Sequence, residues 1–557
     1  MTTFVTCFID LEKEDEPCRK LRFDQFTDIA KTGINICVYA DVASREYLLN
    51  ITSRYENVQL MRSLSIDDLF AHKVISSSFT AIHLPYTDNI KKDTREFMIL
   101  MNSKIELVKD AMDNNTFPNS HCFAWIDFNI SKIFSSTDYI DLLRNMKDSA
   151  PDCPFLAIPG CLCNADCKTE QIIQSIYWRF CGGFFWGHRE SLKEFYDLYV
   201  HYFPMFISQY NTLVWEVNFW AWLECNSAWS PQWYLANHDD SILQVPYSIT
   251  SMSIKSRSSM QVYDYPQIVD NGVSYVPSSA SYIKFDGKHI LNTRYVNYTM
   301  DHENFYCHNL NGLIITKNMT STLDEHLRPI DYVVLDDPYS ETAAMCMFNG
   351  IEDIRLYEKK NQLHYIATSM SHSDGHKNSI VSGIYNYIEN KIETCHTMAS
   401  PNGNWCEKNW TPVVIDGMGQ EREECFIYQW SPMEIYNIVL QKIKTYHVQN
   451  SIFDKFRGST VFTRIGDNLL GLVHFSEGEK MQRKYFHTLL LLDGKTMRPI
   501  KYSNHFHFCD KQGIEFCTGF AIIDMKYQFW ISVRDADPRH ISVPIDSIPL
   551  CNRVFIK

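Results

Sequence analysis

The sequence predicts two domains of different class: an α/β domain with a largely parallel sheet over residues 1–245, and an all-β, five-bladed propeller over residues 281–557. Residues 246–280 read as a linker or crossing segment. Three observations carry this expectation. At 557 residues the chain is too long for one core. Its first half alternates short apolar strands with stretches whose apolar residues recur at three and four positions. Its second half repeats an apolar strand, a tight polar turn and a second apolar strand, roughly every 50 to 70 residues.

In the first half, "TTFVTCFIDL" and "INICVYAD" read as strands that end at acids. "FMILMNSKIELVKDAMD" has helical spacing, with Lys104 and Lys109 among its interruptions, and "SLKEFYDLYVHYFPMF" reads as a helix entered through Ser191 as N-cap. Strand, helix and strand in this order build a parallel sheet. The linker follows from Ser, Tyr and Pro, as in "SITSMSIKSRSS". The blades are expected at "YIKFDGKHILNTRYVNY", "DIRLYEKKNQLHYIATSM", "CFIYQWSPMEIYNI", "TVFTRIGDNLLGLVHFS" and "FAIIDMKYQFWISVRD". One stretch, "MEIYNIVLQKIKTYH", looks helical within this series.

Composition narrows the function classes. Hydrophobic content of 45% and aromatic content of 14% belong to a globular chain. No run reaches the roughly 18 apolar residues that would span a bilayer. A net charge of −14 opposes binding to a phosphate backbone, so nucleic acid is not an expected partner. "MTTFVTCFIDLEKED" lacks the basic start and cleavage site of a signal peptide, and most of the 18 cysteines sit singly in apolar strands, which together suit a cytoplasmic, reducing setting. Cys153, Cys161, Cys163 and Cys167 are clustered and numerous enough for a tetrahedral zinc site, although their spacing matches no CxxC knuckle; the alternative is reduced thiols on a loop.

The candidate chemistry begins with "CFAWIDFNISKIF", where Asp127 is set in an apolar, aromatic segment. A carboxylate inside a buried strand is costly without compensation, whereas at the carboxyl end of a strand it is placed to hold a metal. The alternative is a core acid satisfied by backbone NH groups. "WRFCGGFFWG" sets Gly182 and Gly183 between rings, either to let a substrate approach the backbone or to make a tight turn in an aromatic core. Glu216 opens the aromatic helix of "LVWEVNFWAWLE", where it is a candidate base or an ordinary helix-start charge. "YLANHDDSIL" offers His238, Asp239 and Asp240 as metal ligands or as a solvated loop. Trp215, Trp220, Trp222, Trp229 and Trp233 suit sugar stacking or a large core.

In order, "FVTCFIDL", "NSKIELVKDA", "FAWIDFNISK", "WRFCGGFFWG" and "EVNFWAWLE" resemble the HtrL/YibB family of glycosyltransferases over about the first 245 residues. The resemblance implies a Rossmann-like GT-A domain using a UDP- or GDP-sugar and Mn²⁺ or Mg²⁺. Asp127 and Asn129 then stand where GT-A enzymes carry DxD, with Asn129 departing from that pattern. His238 would complete the metal set, and Glu216 would deprotonate the acceptor in an inverting transfer. Lys104 or Arg179 would add charge at the diphosphate.

In the second half, "SYIKFDGKHILNTRYVNY", "NGIEDIRLY", "EKNWTPVV", "RGSTVFTRIGDNLLGLVHFS" and "GIEFCTGFAI" resemble the five-bladed mannoside phosphorylases and β-1,2-mannosyltransferases over most of residues 262–557. Ile354 replaces the proline of that group's Glu-Asp-Pro-Arg. The resemblance implies Asp353 as general acid or base, with Arg294, Arg355, Lys408 and His474 lining a phosphate or sugar subsite. The leading expectation is a bifunctional, two-module glycosyltransferase acting on a glycan or glycoconjugate. The alternatives are a propeller-borne phosphorylase or mannosyltransferase with an inactive first half, and a carbohydrate-binding protein with neither centre active.

Overall fold

A computed structural model describes residues 1–556 apart from 12–14, 79–80, 86, 88, 164–168, 302–305, 309–311, 341–345, 374–376, 417–421 and 480–481. The chain divides into two compact units, Met1–Thr250 and Ser251–Lys557. No described helix is long and apolar enough to cross a membrane.

The first unit is α/β. Its strands are β1 (Thr2–Phe8), β2 (Asn35–Ala40), β3 (Val58–Ser63), β4 (Cys122–Ile126), β5 (Leu156–Gly160), β6 (Phe184–His188) and β7 (Gln232–Leu235). They form one sheet in the order β3-β2-β1-β4-β6-β5-β7. β3, β2, β1 and β4 pair in parallel, as do β5 and β7, whereas β6 runs antiparallel to both neighbours. Apolar side chains fill both faces, as strands covered by helices on either side require. Val5, Tyr39 and Trp125 enter one core, and Phe4, Val38 and Ile126 the other. The tryptophan cluster is mainly core material: Trp215, Trp220, Trp222 and Trp229 are buried among Phe195, Phe206 and Phe219.

Local details depart from the sequence reading. The predicted helix of residues 97–113 is two helices, Arg95–Asn102 and Lys104–Asn114, meeting at Ser103. The long helix starts at Arg189, with His188 rather than Ser191 at its N-cap.

The second unit is all-β and propeller-like. Its described residues form sheets of six, five, four, eight and four strands in chain order, plus a two-stranded ribbon. The predicted hairpins are present, and three have two-residue turns in which both residues take positive φ: Asp286-Gly287, Lys360-Asn361 and Asp524-Met525. Turns of this hand match the twist of the strands they join. The "MEIYNIVLQKIKTYH" stretch is also a strand pair, Met433–Asn437 and Lys442–Tyr446.

The segment expected as a linker or crossing segment contributes short strands to the second unit. Met252–Ser253 pairs with Phe506–His507, and Ser259–Gln261 with Asp537–Pro544, so the unit's first strands complete sheets built by its last. This protects edges that an open ring of sheets would leave exposed.

Candidate functional site

In the first unit, Asp10, Asp41 and Asp127 lie just beyond β1, β2 and β4, along the carboxyl edge where ligands collect in open α/β sheets. Asp41 caps a helix through the Ser44 amide. Asp127 is about two-fifths exposed, with its side chain at 39%. It and Asp10 line a cleft of about 150 Å³ with Arg22, Lys92, Asn129 and Lys132.

The predicted catalytic groups behind this cleft are bound to one another. Lys104 is buried, and its ammonium donates to Asp127 Oδ1 at 3.1 Å, Glu216 Oε1 at 2.8 Å and the Gly182 carbonyl at 2.8 Å. Burial alone would favour its neutral form, but the charges of Asp127 and Glu216 outweigh this and hold its pKa above the ordinary value. Glu216 is 3% exposed, so its expected role as the base reached by an acceptor hydroxyl is corrected to that of a buried counter-ion.

Gly182 is needed because a Cβ there would lie 2.1 Å from Glu216 Oε1, so a protein carboxylate, rather than substrate, makes the close approach. Gly183 has ordinary space around it. Arg179 forks onto Glu224 at 2.7 and 2.8 Å, donates to the Leu162 carbonyl and stacks on Trp233. It lies outside the cleft lining and does not serve the expected diphosphate subsite.

The predicted octahedral metal set is not assembled. Asp127 and Asn129 share the cleft, but His238 is absent from its lining and lies instead beside Cys161 and Cys181. Asp239 and Asp240 serve Ser241 and Ser135. With Lys104 already on Asp127, this set does not fit Mn²⁺ or Mg²⁺, and no step through such an ion follows. Of the clustered cysteines, Cys167 lies outside the described residues.

The second unit brings its predicted residues together more closely. Asp353 is the second residue of the Glu352–Lys359 strand, at φ 54°, and Asp535 and Asn409 also take positive φ, at 54° and 62°. Such conformations are sparse for residues other than glycine and collect at functional sites. All three line a cavity of about 220 Å³ with Arg294, Lys408, His474, Arg483, Tyr298, Tyr485 and Glu352. Arg294 donates to Asp353 Oδ1 at 3.0 Å, and Ser279 to the same oxygen at 3.1 Å. Tyr298 donates to Asp535 Oδ2 at 3.2 Å.

The two aspartates are tuned apart. Burial would raise the pKa of Asp353, but Arg294, Arg355 and Lys408 outweigh it and hold the carboxyl below its usual range. Burial raises Asp535; Arg294 opposes this, while the charges of Asp353 and Glu352 add to it, so its carboxyl retains its proton more readily. Lys408 is held charged chiefly by Glu352, whose carboxylate is 3.5 Å away.

His474 lines the cavity, as the resemblance implied, and the expectation for Arg355 needs correction. Burial, reinforced by Arg355 and Arg457, lowers the pKa of His474 to about 3, so it presents a neutral ring, held by Ser459 Oγ at 2.8 Å. Arg355 is outside the cavity lining and donates to the carbonyls of Ser459 and Asp353 and to Asn409 Oδ1 at 2.6, 3.1 and 3.0 Å. It braces the Asp353 backbone and the Asn409 side chain rather than presenting charge to a ligand. Sequence reasoning missed Asp535, Arg483 and Tyr298, although Asp535 follows the apolar strand Lys526–Val533 much as Asp127 follows β4.

No family model and no curated protein matches the chain. Solved structures match it in part. β-1,2-Mannobiose phosphorylase from Listeria innocua aligns at 10% identity, covering 52% of this chain and 97% of that one, with a TM-score of 0.34. A structure from the GH130 family of mannoside phosphorylases, with glycoside hydrolases that target β-1,2 mannosidic linkages, aligns at 10% identity over 53% and 96%, with a TM-score of 0.36. Mouse xyloside xylosyltransferase 1 aligns at 9% identity over 42% and 86%, with a TM-score of 0.27. Likenesses of this extent decide no activity.

Proposed function

We propose that the propeller-like second unit, at the Asp353–Asp535 cavity, breaks or forms a mannoside bond with phosphate as co-substrate. The observation that supports this reading is the pair of carboxyls displaced in opposite directions within one cation-lined cavity. Environments that push two titratable groups apart assign acid and base roles. Asp535, whose carboxyl is displaced toward its protonated form by burial and the neighbouring charges of Asp353 and Glu352, would donate its proton to the glycosidic oxygen as the bond to the anomeric carbon breaks. A phosphate oxygen forms the new bond to that carbon from the opposite face. Ionised Asp353 stabilises the positive charge that develops on the sugar ring and accepts a hydrogen bond from it. Arg294, Lys408 and Arg483 supply three cations beside the carboxyls of Glu352, Asp353 and Asp535, and are the groups suited to hold phosphate.

The nucleotide-sugar reading of the first unit has less support, because Lys104 and Arg179 are satisfied within the protein and Glu216 is buried against Lys104. The test is to incubate the chain with β-1,2-mannobiose, with and without phosphate, and follow mannose 1-phosphate and free mannose. Phosphate-dependent release of the ester is expected, with a loss of about 100-fold or more in Asp535→Asn and in Asp353→Asn. Equal turnover without phosphate would point to hydrolysis. Undiminished activity in both variants would move the chemistry elsewhere.

A further inference from the structure

We infer that Cys161, Cys181 and His238 form a site for a thiophilic divalent ion, best matched by zinc, at the carboxyl edge of the first unit's sheet. The site is independent of the sugar chemistry proposed for the second unit. Among the described residues these three are the one group of His, Cys, Asp or Glu whose ligand atoms come within metal-bridging reach, all within 4.8 Å of one another. The two sulfurs are 3.6 Å apart. Thiolates about 2.3 Å from a tetrahedral zinc stand roughly 3.8 Å from each other, so this pair needs little adjustment, whereas a disulfide would require closure to about 2.05 Å.

The backbone builds the arrangement. Cys161 follows β5, and its amide donates to the Trp178 carbonyl at 3.1 Å; the Cys181 amide returns to the Pro159 carbonyl at 2.7 Å. The Ala236 amide, two residues before His238, donates to the Gly160 carbonyl at 3.0 Å. Gly160 permits this crossing, since a Cβ there would lie 1.8 Å from the Arg179 carbonyl oxygen. The Trp178 ring meets the His238 ring edge-on at 4.4 Å and orients it.

Cys181 is buried, Cys161 half-buried and His238 exposed, so an ion would be anchored from within and open to solvent on one side. Two sulfurs and one imidazole select a borderline-soft ion over Mg²⁺ or Mn²⁺. Three protein ligands leave a fourth position for water or a substrate atom. On binding, each thiol releases its proton to solvent as its sulfur bonds the metal.

The experiment uses the full chain, reduced and stripped with a chelator, then titrated with Zn²⁺ against a chromophoric competitor and with Co²⁺ in the spectrophotometer. One equivalent of either ion should bind, and cobalt should show the sulfur-to-metal charge-transfer absorption and intense visible bands of tetrahedral coordination. Cys161→Ser/Cys181→Ser should abolish that absorption. His238→Ala, at an exposed position that does not threaten folding, should weaken zinc binding by about tenfold or more. A reduced chain without the cobalt signature overturns the proposal, as does a signature that persists in the double serine variant. Unchanged zinc affinity in His238→Ala overturns it as well.

Discussion

Replacing Lys104 with methionine tests whether the predicted transferase machinery of the first unit is structural. The side chain is 2% exposed and makes two ion pairs, to Glu216 and Asp127, and one bond to a carbonyl. Removing one partner of a buried pair typically costs about 3–5 kcal/mol, because the remaining charge is stranded. Glu216 is the group stranded here, and its Oε2 already has no hydrogen-bond partner. Asp127 suffers less, being partly exposed and still bonded to Trp125 Nε1 at 2.8 Å. For a unit of this size, such a loss corresponds to a fall in Tm of roughly 6–20 °C. Differential scanning calorimetry of the full chain should show the fall in one transition and not in the other. Lys104→Met/Glu216→Leu should recover most of it, since an apolar pair of similar volume commonly replaces a buried ion pair at little cost. A single variant within about 1 kcal/mol of wild type, or a double variant no better than the single, would refute the reasoning and return Lys104 to ligand binding.

Two further outcomes concern the second unit. Arg355→Lys gives up the fork that holds Ser459, Asp353 and Asn409, so turnover should fall about tenfold or more with the KM for phosphate unchanged; a raised KM at unchanged turnover would mean that Arg355 binds phosphate. Acid should also unfold this unit early. Burial lowers His474 and His505 to about 3 and His540 to about 4, below the unfolded value near 6.5, so these groups contribute stability above that value that is lost as pH falls toward 3–4. Glu515, raised to about 7 by burial, acts oppositely: its contribution is full below about 4.5 and is lost as pH rises through 7. Three histidines against one glutamate give a net loss on acidification, on the order of 2–3 kcal/mol per pH unit below pH 6, measurable by urea unfolding at a series of pH values. Flat stability between pH 6 and 4 would refute this.

The class of each unit was legible because periodicity reports burial. Strands covered on both faces are apolar throughout, as "NICVYA" is, and hairpins declare themselves by alternation and turn residues such as Asp286-Gly287. The antiparallel β6 was not legible, because local pattern does not distinguish strand direction. The supposed linker misled for a related reason: Met252–Ser253 and Ser259–Gln261 are too short to show alternation, and they become strands only through partners more than two hundred residues away.

The sites follow the same division. An acid after an apolar strand marks a sheet edge, which is how Asp127 was singled out, whereas Asp353 came only from the family resemblance; both line cavities. Sequence reasoning assigned roles poorly because a role depends on which charges meet. Glu216 and Lys104 are 112 positions apart and neutralise each other; Arg294 and Asp353 are 59 apart and do the same while leaving Asp535 nearby and raised. In the first unit the pairing closes over a glycine and leaves little to titrate. In the second it lowers the pKa of one carboxyl and, through that charge, helps raise that of its neighbour. A buried ion pair therefore supports acid–base chemistry where it displaces two neighbouring carboxyls in opposite directions, as the charges around Asp353 and Asp535 do.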